Sequence, residues 1–377
     1  MTVWPVKTLG DVCELVNGAT PDTKVREYWG GKHAWITPAE MGGLDSPFIS
    51  MSRRTLSDKG LASCSATMVP PKTVILSSRA PIGHLVINEV PMATNQGCKS
   101  LIPKDGLDFS FLYYYLKANV EVLESLGTGT TFKELSGTQL KTVEIPMPPL
   151  DEQKRIVALL DAATARVAEL TACYEQARTH ANNLFTSASR EAFESNPDWP
   201  VKTIGDVCAV LDSLRKPITK RDRTSGDYPY YGATGIVDYV GDYIFDERLV
   251  LVGEDGAKWD AGDRTAFIAE GKYWVNNHAH VLRCKPGVLV DSWLTHYLTM
   301  SDLNRYVSGL TVPKLNQGSL VSIAIPVPPL EEQERIVGHL DSMKAKTSEM
   351  VATYDAKLTA AKNLRQSFLE SAFEGKL

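Results

Sequence analysis

The chain repeats itself, and that repeat constrains its fold more than any other feature. Residues 4–13 read WPVKTLGDVC and residues 199–208 read WPVKTIGDVC, identical at nine of ten positions. A second match joins IPMPPLDEQKRIVALLD (145–161) to IPVPPLEEQERIVGHLD (325–341), and a third joins NLFTSASREAFES (183–195) to NLRQSFLESAFEG (363–375). Three colinear matches require a duplication of the form head, helix, head, helix. The flanks of the copies match, whereas the middles, about 20–110 and 214–290, cannot be aligned by eye. One frame holding two different inserts suggests one mechanical role performed on two different targets.

Each Pro-Pro-Leu is followed by acidic residues and a helical pattern. Proline is tolerated at a helix start but not in its interior, and Asp151, Glu152, Glu331 and Glu332 sit where the helix dipole favours negative charge. In the first copy Ile156, Leu160, Ala163, Val167, Leu170, Tyr174, Ala177, Ala181, Leu184 and Ala188 recur at steps of four and three. The second copy repeats this with Ile336, Leu340, Met343, Thr347, Met350, Tyr354, Lys357, Ala361, Leu364 and Phe368, where Thr347 and Lys357 weaken the pattern. Such a heptad seam predicts a coiled coil. A helix of about 40 residues spans roughly 60 Å, so the simplest arrangement pairs the two helices antiparallel, with a head at each end and a pseudo-twofold axis. The expected class is α+β: heads over residues 1–149 and 196–329, helices over 150–195 and 330–377.

Both heads read as mixed. KTVILSSRAPIGHLVI (72–87), YPYYGATGIVDYV (228–240) and RLVLVGEDGA (248–257) are β-like runs with Gly or Pro turns. Residues 109–127 and 291–309 are apolar at helical spacing. Each head then passes through a polar loop, GTGTTFKEL (127–135) or SGLTVPKL (308–315). Such loops, with Thr130, Lys133 and Lys314, can offer N–H groups and a cation to phosphates, or can be plain solvent loops. Tyr230, Tyr231 and Tyr239 could stack on a ligand, although as core tyrosines they would be unremarkable. Asn276, Asn277, His278 and His280 form a polar cluster, and Asn can read adenine while Arg can read guanine. Ser77, Ser78, Arg79, Gln96 and Lys99 are the analogous polar groups of the first head.

The formal net charge is -5, which argues against a nucleic-acid ligand. Residues 1–149 carry 14 basic and 14 acidic side chains, and residues 196–329 carry 14 and 16, so DNA binding would need local patches or a partner. The six cysteines are scattered with no C-x-x-C pair, as expected of reduced thiols in a cytoplasm. His278, His280 and Cys284 lack a fourth ligand at zinc spacing, so no metal is expected. There is no G-x-x-x-x-G-K-[ST] loop and no G-x-G-x-x-G loop. Gly253 to Lys258 (GEDGAK) reads as a solvated hairpin end, and no nucleophile–base pair stands out. The chain is expected to be no enzyme, with no membrane span.

IPMPPLDEQKRIV, IPVPPLEEQERIV and the terminal LESAFEGKL resemble the repeated regions of type I restriction–modification specificity subunits. YPYYGATGIVDYV, VLVGEDGA and NNHAHVL are similar to one class of target-recognition domain in that family; WITPAEM, SSRAPIG and NQGCKSL are similar to another. The resemblance covers nearly the whole chain. It implies that each head reads one half of a bipartite double-stranded DNA target in the major groove while the coiled coil sets the unread gap. Thr37 and Thr234, within the matched motifs, join the candidate DNA contacts above. It implies too that two modification subunits, carrying S-adenosylmethionine, dock at Pro148, Pro149, Leu150, Gln153 and Arg155 and at Pro328, Pro329, Leu330, Gln333 and Arg335. A motor-nuclease restriction subunit is a further expected partner in systems that cleave. The other reading the sequence leaves open is a coiled-coil scaffold whose heads bind proteins or glycans.

Overall fold

The computed structural model describes residues 4–44, 46–79, 81–129, 133–194, 196–309 and 311–376. It divides into two units, residues 1–173 with 357–377, and residues 174–356.

In the first unit, five strands lie in the order Cys13–Asn17, Cys98–Pro103, Val74–Ser77, Leu85–Asn88, Phe48–Ile49; only the last pairing is parallel. A second sheet runs Arg54–Leu56, Trp29–Ile36, Met92–Thr94, with its last pair parallel. The helix Phe109–Ala118 starts where Asp108 accepts hydrogen bonds from the N–H groups of Ser110 and Phe111, a standard N-cap. Its Phe111, Leu112 and Leu116 pack in a core with Leu76, Leu101, Ile156, Leu160, Leu369 and Ala372.

The second unit repeats this plan. Its larger sheet runs Cys208–Val210, Ala279–Cys284, Leu249–Gly253, Ala266–Ala269, all antiparallel. Its smaller sheet runs Gly235–Val240, Tyr228–Gly232, Lys272–Val275, Phe245–Asp246, with the middle pair parallel. Trp293, Leu294 and Leu298 of the helix Asp291–Met300 share a core with Ile336, Val337, Leu340 and the flanking Phe185 and Phe193.

The middles that cannot be aligned as sequence therefore share a frame. Leu76 pairs with Lys99 as Val252 pairs with His280. The Ser78 N–H donates to the Gly97 carbonyl at 2.7 Å, and that of Glu254 to His278 at 2.9 Å. Leu135 N–H donates to Ser78 and Leu315 N–H to Glu254, both at 2.8 Å. A sheet constrains burial and period rather than residue identity, so the frame survives while the letters change.

The duplicated flanks have local causes. Thr8 and Asp11 form a capping box, and so do Thr203 and Asp206. Val6–Thr8 pairs antiparallel with Glu144–Pro146, and Val201–Thr203 with Ala324–Pro326. The long helices Leu150–Glu194 and Leu330–Phe373 follow directly. In the first unit the start of the first long helix (Ile156, Leu160) packs beside the end of the second (Leu369, Ala372). In the second unit Tyr174 sits beside Tyr354, and the start of the second (Ile336, Leu340) packs beside Phe185 and Phe193 of the first, so within that unit the two helices run antiparallel.

The seam departs from strict heptads. Leu184, Met350 and Leu364 are 40–50% exposed, and Lys357 is also exposed. Phe185, Val351 and Leu358 turn inward instead. An α-helix drifts about 20° per heptad, which moves the buried stripe by one position. Thr347 is buried and donates to the Met343 carbonyl at 3.0 Å.

Candidate nucleic-acid interface

In the second unit the turn after Lys272–Val275 is built by Asn276. This residue is buried, and its Oδ1 accepts from the His278 N–H at 2.7 Å, which leaves Asn277 and His278 exposed. His278 Nδ1 is hydrogen-bonded to Asp255. Beneath the turn, His280 is fully buried, with Nδ1 2.5 Å from Asp212 Oδ2 and Nε2 2.7 Å from the Leu315 carbonyl oxygen. Both ring nitrogens thus have an oxygen partner, which fixes the ring from two sides. Glu254 accepts from Arg215 at 2.5 Å and from Lys314 at 2.8 Å. Burial opposes ionisation of Asp212, but His280, the Val281 N–H and Arg215 outweigh it and hold the carboxyl below its usual value. Glu254 shows the same balance, with Lys314 and Arg215 overcoming burial.

The GEDGAK segment thus differs from a solvated hairpin end, because the Glu254 carboxylate is buried at the centre of an ion network. Asp212, Glu254 and His280 lie close enough to hold a cation, yet each donor already faces Arg215, Lys314 or its own partner. The histidine–cysteine trio noted in the sequence does not converge on one point: Cys284 is buried with its sulfur 3.8 Å from that of Cys208.

The first unit places other residues on the same frame. Asn95 Oδ1 accepts from the Gly97 N–H at 2.8 Å, leaving Gln96 exposed. Lys99 takes the His280 position; it is buried, and loss of hydration depresses its pKa. Arg79 and Glu134 form a bridge with Nε–Oε2 at 3.1 Å. The equivalent pair, Asp255 and Lys314, has the reverse polarity at 3.9 Å.

The frame gathers Ser77, Ser78, Arg79, Gln96 and Lys99 in the first unit, and Tyr231, Asn276, Asn277, His278 and Lys314 in the second. Several are turned away from solvent. Ser77 is buried, donating to the Pro81 carbonyl and accepting from the His84 N–H, both at 2.8 Å. Ser78 is buried with no hydroxyl partner among the described residues. Tyr230 is 1% exposed, and its hydroxyl accepts from the Ile218 N–H at 3.0 Å. Tyr231 packs between Phe267 and Tyr273. Ser77, Tyr230, Tyr231 and Asn276 serve the fold in this structure, because hydrophobic packing and internal hydrogen bonds already use them. Thr37 caps the short helix Pro38–Met41. Arg79, Gln96, Lys133, Thr234, Asn277 and His278 are exposed and Lys314 is half-buried; Thr130 lies outside the described residues.

The residues matched to partner docking divide likewise. Gln153 is buried: it accepts from the Asp108 N–H at 2.8 Å and donates to the Gly106 and Pro148 carbonyls at 2.8 and 2.9 Å. Gln333 repeats this with Val290, Val288 and Pro328 at 2.9, 3.0 and 2.8 Å. These two latch each helix start to its head. Pro148 and Pro328 are buried; Pro149, Leu150, Arg155, Pro329 and Arg335 are exposed, and Leu330 is half-buried. The arginines are held against Glu152 and Glu332.

A family model described as the type I restriction modification DNA specificity domain matches residues 1–176 and again 196–360. The chain belongs to this family. Its role is DNA sequence specificity within a type I restriction–modification system, a recognition role and not a catalytic one. The type I restriction enzyme MjaIX specificity subunit of Methanocaldococcus jannaschii is 27% identical, covering 99% of this chain and 93% of that protein. The EcoprrI specificity subunit of Escherichia coli is 28% identical over 94% and 91%. Among solved structures, a chain from a study of complex assembly and conformational transition of the type I R-M system matches with TM-score 0.81 at 20% identity, covering 100% of this chain and 99% of that one. The HsdS subunit from Thermoanaerobacter tengcongensis matches with TM-score 0.64 at 20% identity, covering 100% and 98%. Nothing in these relatives supports the scaffold reading. No helix among the described residues is long and apolar enough to cross a membrane.

The roles of Asp212 and Arg215 are not legible in the sequence, where Glu254 reads as part of a solvated hairpin end and Glu134 as part of a polar loop. Glu254 meets Arg215 across 39 residues of chain, so no spacing rule joins them.

Proposed function

We propose that each head of this specificity subunit reads one half of a bipartite double-stranded DNA target, and that the paired helices set the gap between the halves. The observation that carries this reading is one frame presenting unlike residues twice. Asn95-Gln96-Gly97 stands where Asn276-Asn277-His278 stands, and Arg79–Glu134 stands where Asp255–Lys314 stands with charges reversed. The exposed members of these sets are the proposed DNA-reading groups, because base edges are read by side chains that reach into a groove. Two modification subunits, which bring S-adenosylmethionine, dock on the exposed part of each proline–helix junction. In systems that cleave, a restriction subunit joins them. The complex works in the cytoplasm, where its DNA lies.

The test replaces residues 214–322 with the corresponding segment of another specificity subunit and reads the methylated motif genome-wide. One half of the motif changes and the other stays. A change in both halves, or in neither, overturns the reading.

A further inference from the structure

The second head contains five cations within nine residues: Arg215, Lys216, Lys220, Arg221 and Arg223. The sums over whole heads conceal this run. The structure fixes it from both sides. Arg215 is drawn inward by Asp212, Glu254 and the Ala279 carbonyl, the last at 2.8 Å. Arg223 lies over the Tyr230 ring at 4.4 Å and pairs with Asp238 at 2.8 Å. The Ile218 N–H and carbonyl are both held by the Tyr230 hydroxyl, and Trp274 donates to the Lys216 carbonyl at 2.6 Å. Two of the five cations therefore serve as anchors. Lys216, Lys220 and Arg221 remain exposed; Asp222 lies 3.5 Å from Arg221, and Asp238, already paired with Arg223, feels the charge of Lys220. The Arg215 guanidinium also reaches the Asn277 carbonyl at 3.4 Å, so the segment is tied to the exposed turn at Asn277 and His278.

We propose that Lys216, Lys220 and Arg221 form a loop of the second head that grips DNA backbone phosphates beside that turn. The proposal rests on the reading of this head as a DNA-recognition domain. A loop already held by its own anchors loses little freedom on binding, and phosphate contacts fix register without reading sequence. It also supplies a basic patch in a chain of net negative charge.

The test uses the K216A/K220A/R221A variant in complex with its modification subunits, and R221A alone as the milder variant. Binding is measured to a duplex carrying the methylated motif and to one without it, from about 50 to 200 mM salt. The slope of log affinity against log salt should become shallower by roughly one for each cation removed from a phosphate, about three for the triple variant. Both duplexes should weaken by the same factor, and the methylated motif should stay the same. An unchanged slope in both variants, or a changed half-motif, overturns the phosphate role. Absence of any sequence-dependent binding by the unaltered complex would instead overturn the recognition reading beneath it.

Discussion

His280 Nε2 donates to the carbonyl oxygen of Leu315 at 2.7 Å, tying the buried centre of the second head to the hairpin that carries Lys314. The other ring nitrogen faces Asp212. Replacing His280 by Ala removes a hydrogen bond from buried Asp212 and another from the Leu315 carbonyl. Leaving buried polar groups without a partner costs about 1–3 kcal/mol each. Urea unfolding of the full chain should show that loss, and a change within about 0.5 kcal/mol, the range of ordinary surface substitutions, would mean the network carries no load.

The same network sets an acid limit. Asp212 and Glu254 have carboxyls held below the ordinary 3.8 and 4.5. A depressed carboxyl contributes stability above its unfolded value and loses it as pH falls through the folded one. Thermal unfolding followed from pH 7 to about 3 should therefore fall off below roughly pH 4.5, and Asp212→Asn should flatten that decline. Lys99 gives the opposite flank: its depressed pKa means the unfolded chain holds the proton more tightly. Stability rises with pH between the folded value and 10.5, and Lys99→Met removes that rise.

The latch residues give a third expectation. Gln153→Ala and Gln333→Ala each abandon three hydrogen bonds at a buried site. Each unsatisfied buried group costs about 1–3 kcal/mol, so a loss of roughly 2–4 kcal/mol is expected from either in chemical denaturation. Arg155→Ala, at an exposed pair, should leave the denaturation midpoint nearly unchanged.

The reversed ion pair offers a double-mutant cycle. Arg79→Asp with Glu134→Lys would give the first head the polarity of the second. Each single change places like charges together, and the pair should recover about 0.2–1 kcal/mol because both side chains are 40–48% exposed. Methylome sequencing should show the half-motif of the first head altered and the other half retained.

What the sequence disclosed and what it hid follow from how narrowly each feature depends on residue type. Capping boxes, Pro-Pro-Leu and the glutamine latch need particular side chains, so they persist as letters and mark the duplication. The head frame needs only apolar alternation, so Leu76 with Lys99 and Val252 with His280 share a place without sharing a pattern. Tyr230 and Ser77 looked chemically expressive, yet burial alone decides their use. The seam was legible for its first turns and faded where helical drift exchanged Leu184 for Phe185 and Lys357 for Leu358.

The chain enters each head on Val6–Thr8 or Val201–Thr203 and leaves on the strand hydrogen-bonded to it. Entry and exit are thus neighbours, and both are spelled almost identically in the two copies. A head can be exchanged as a cassette by crossovers confined to those borders, with the junction geometry untouched.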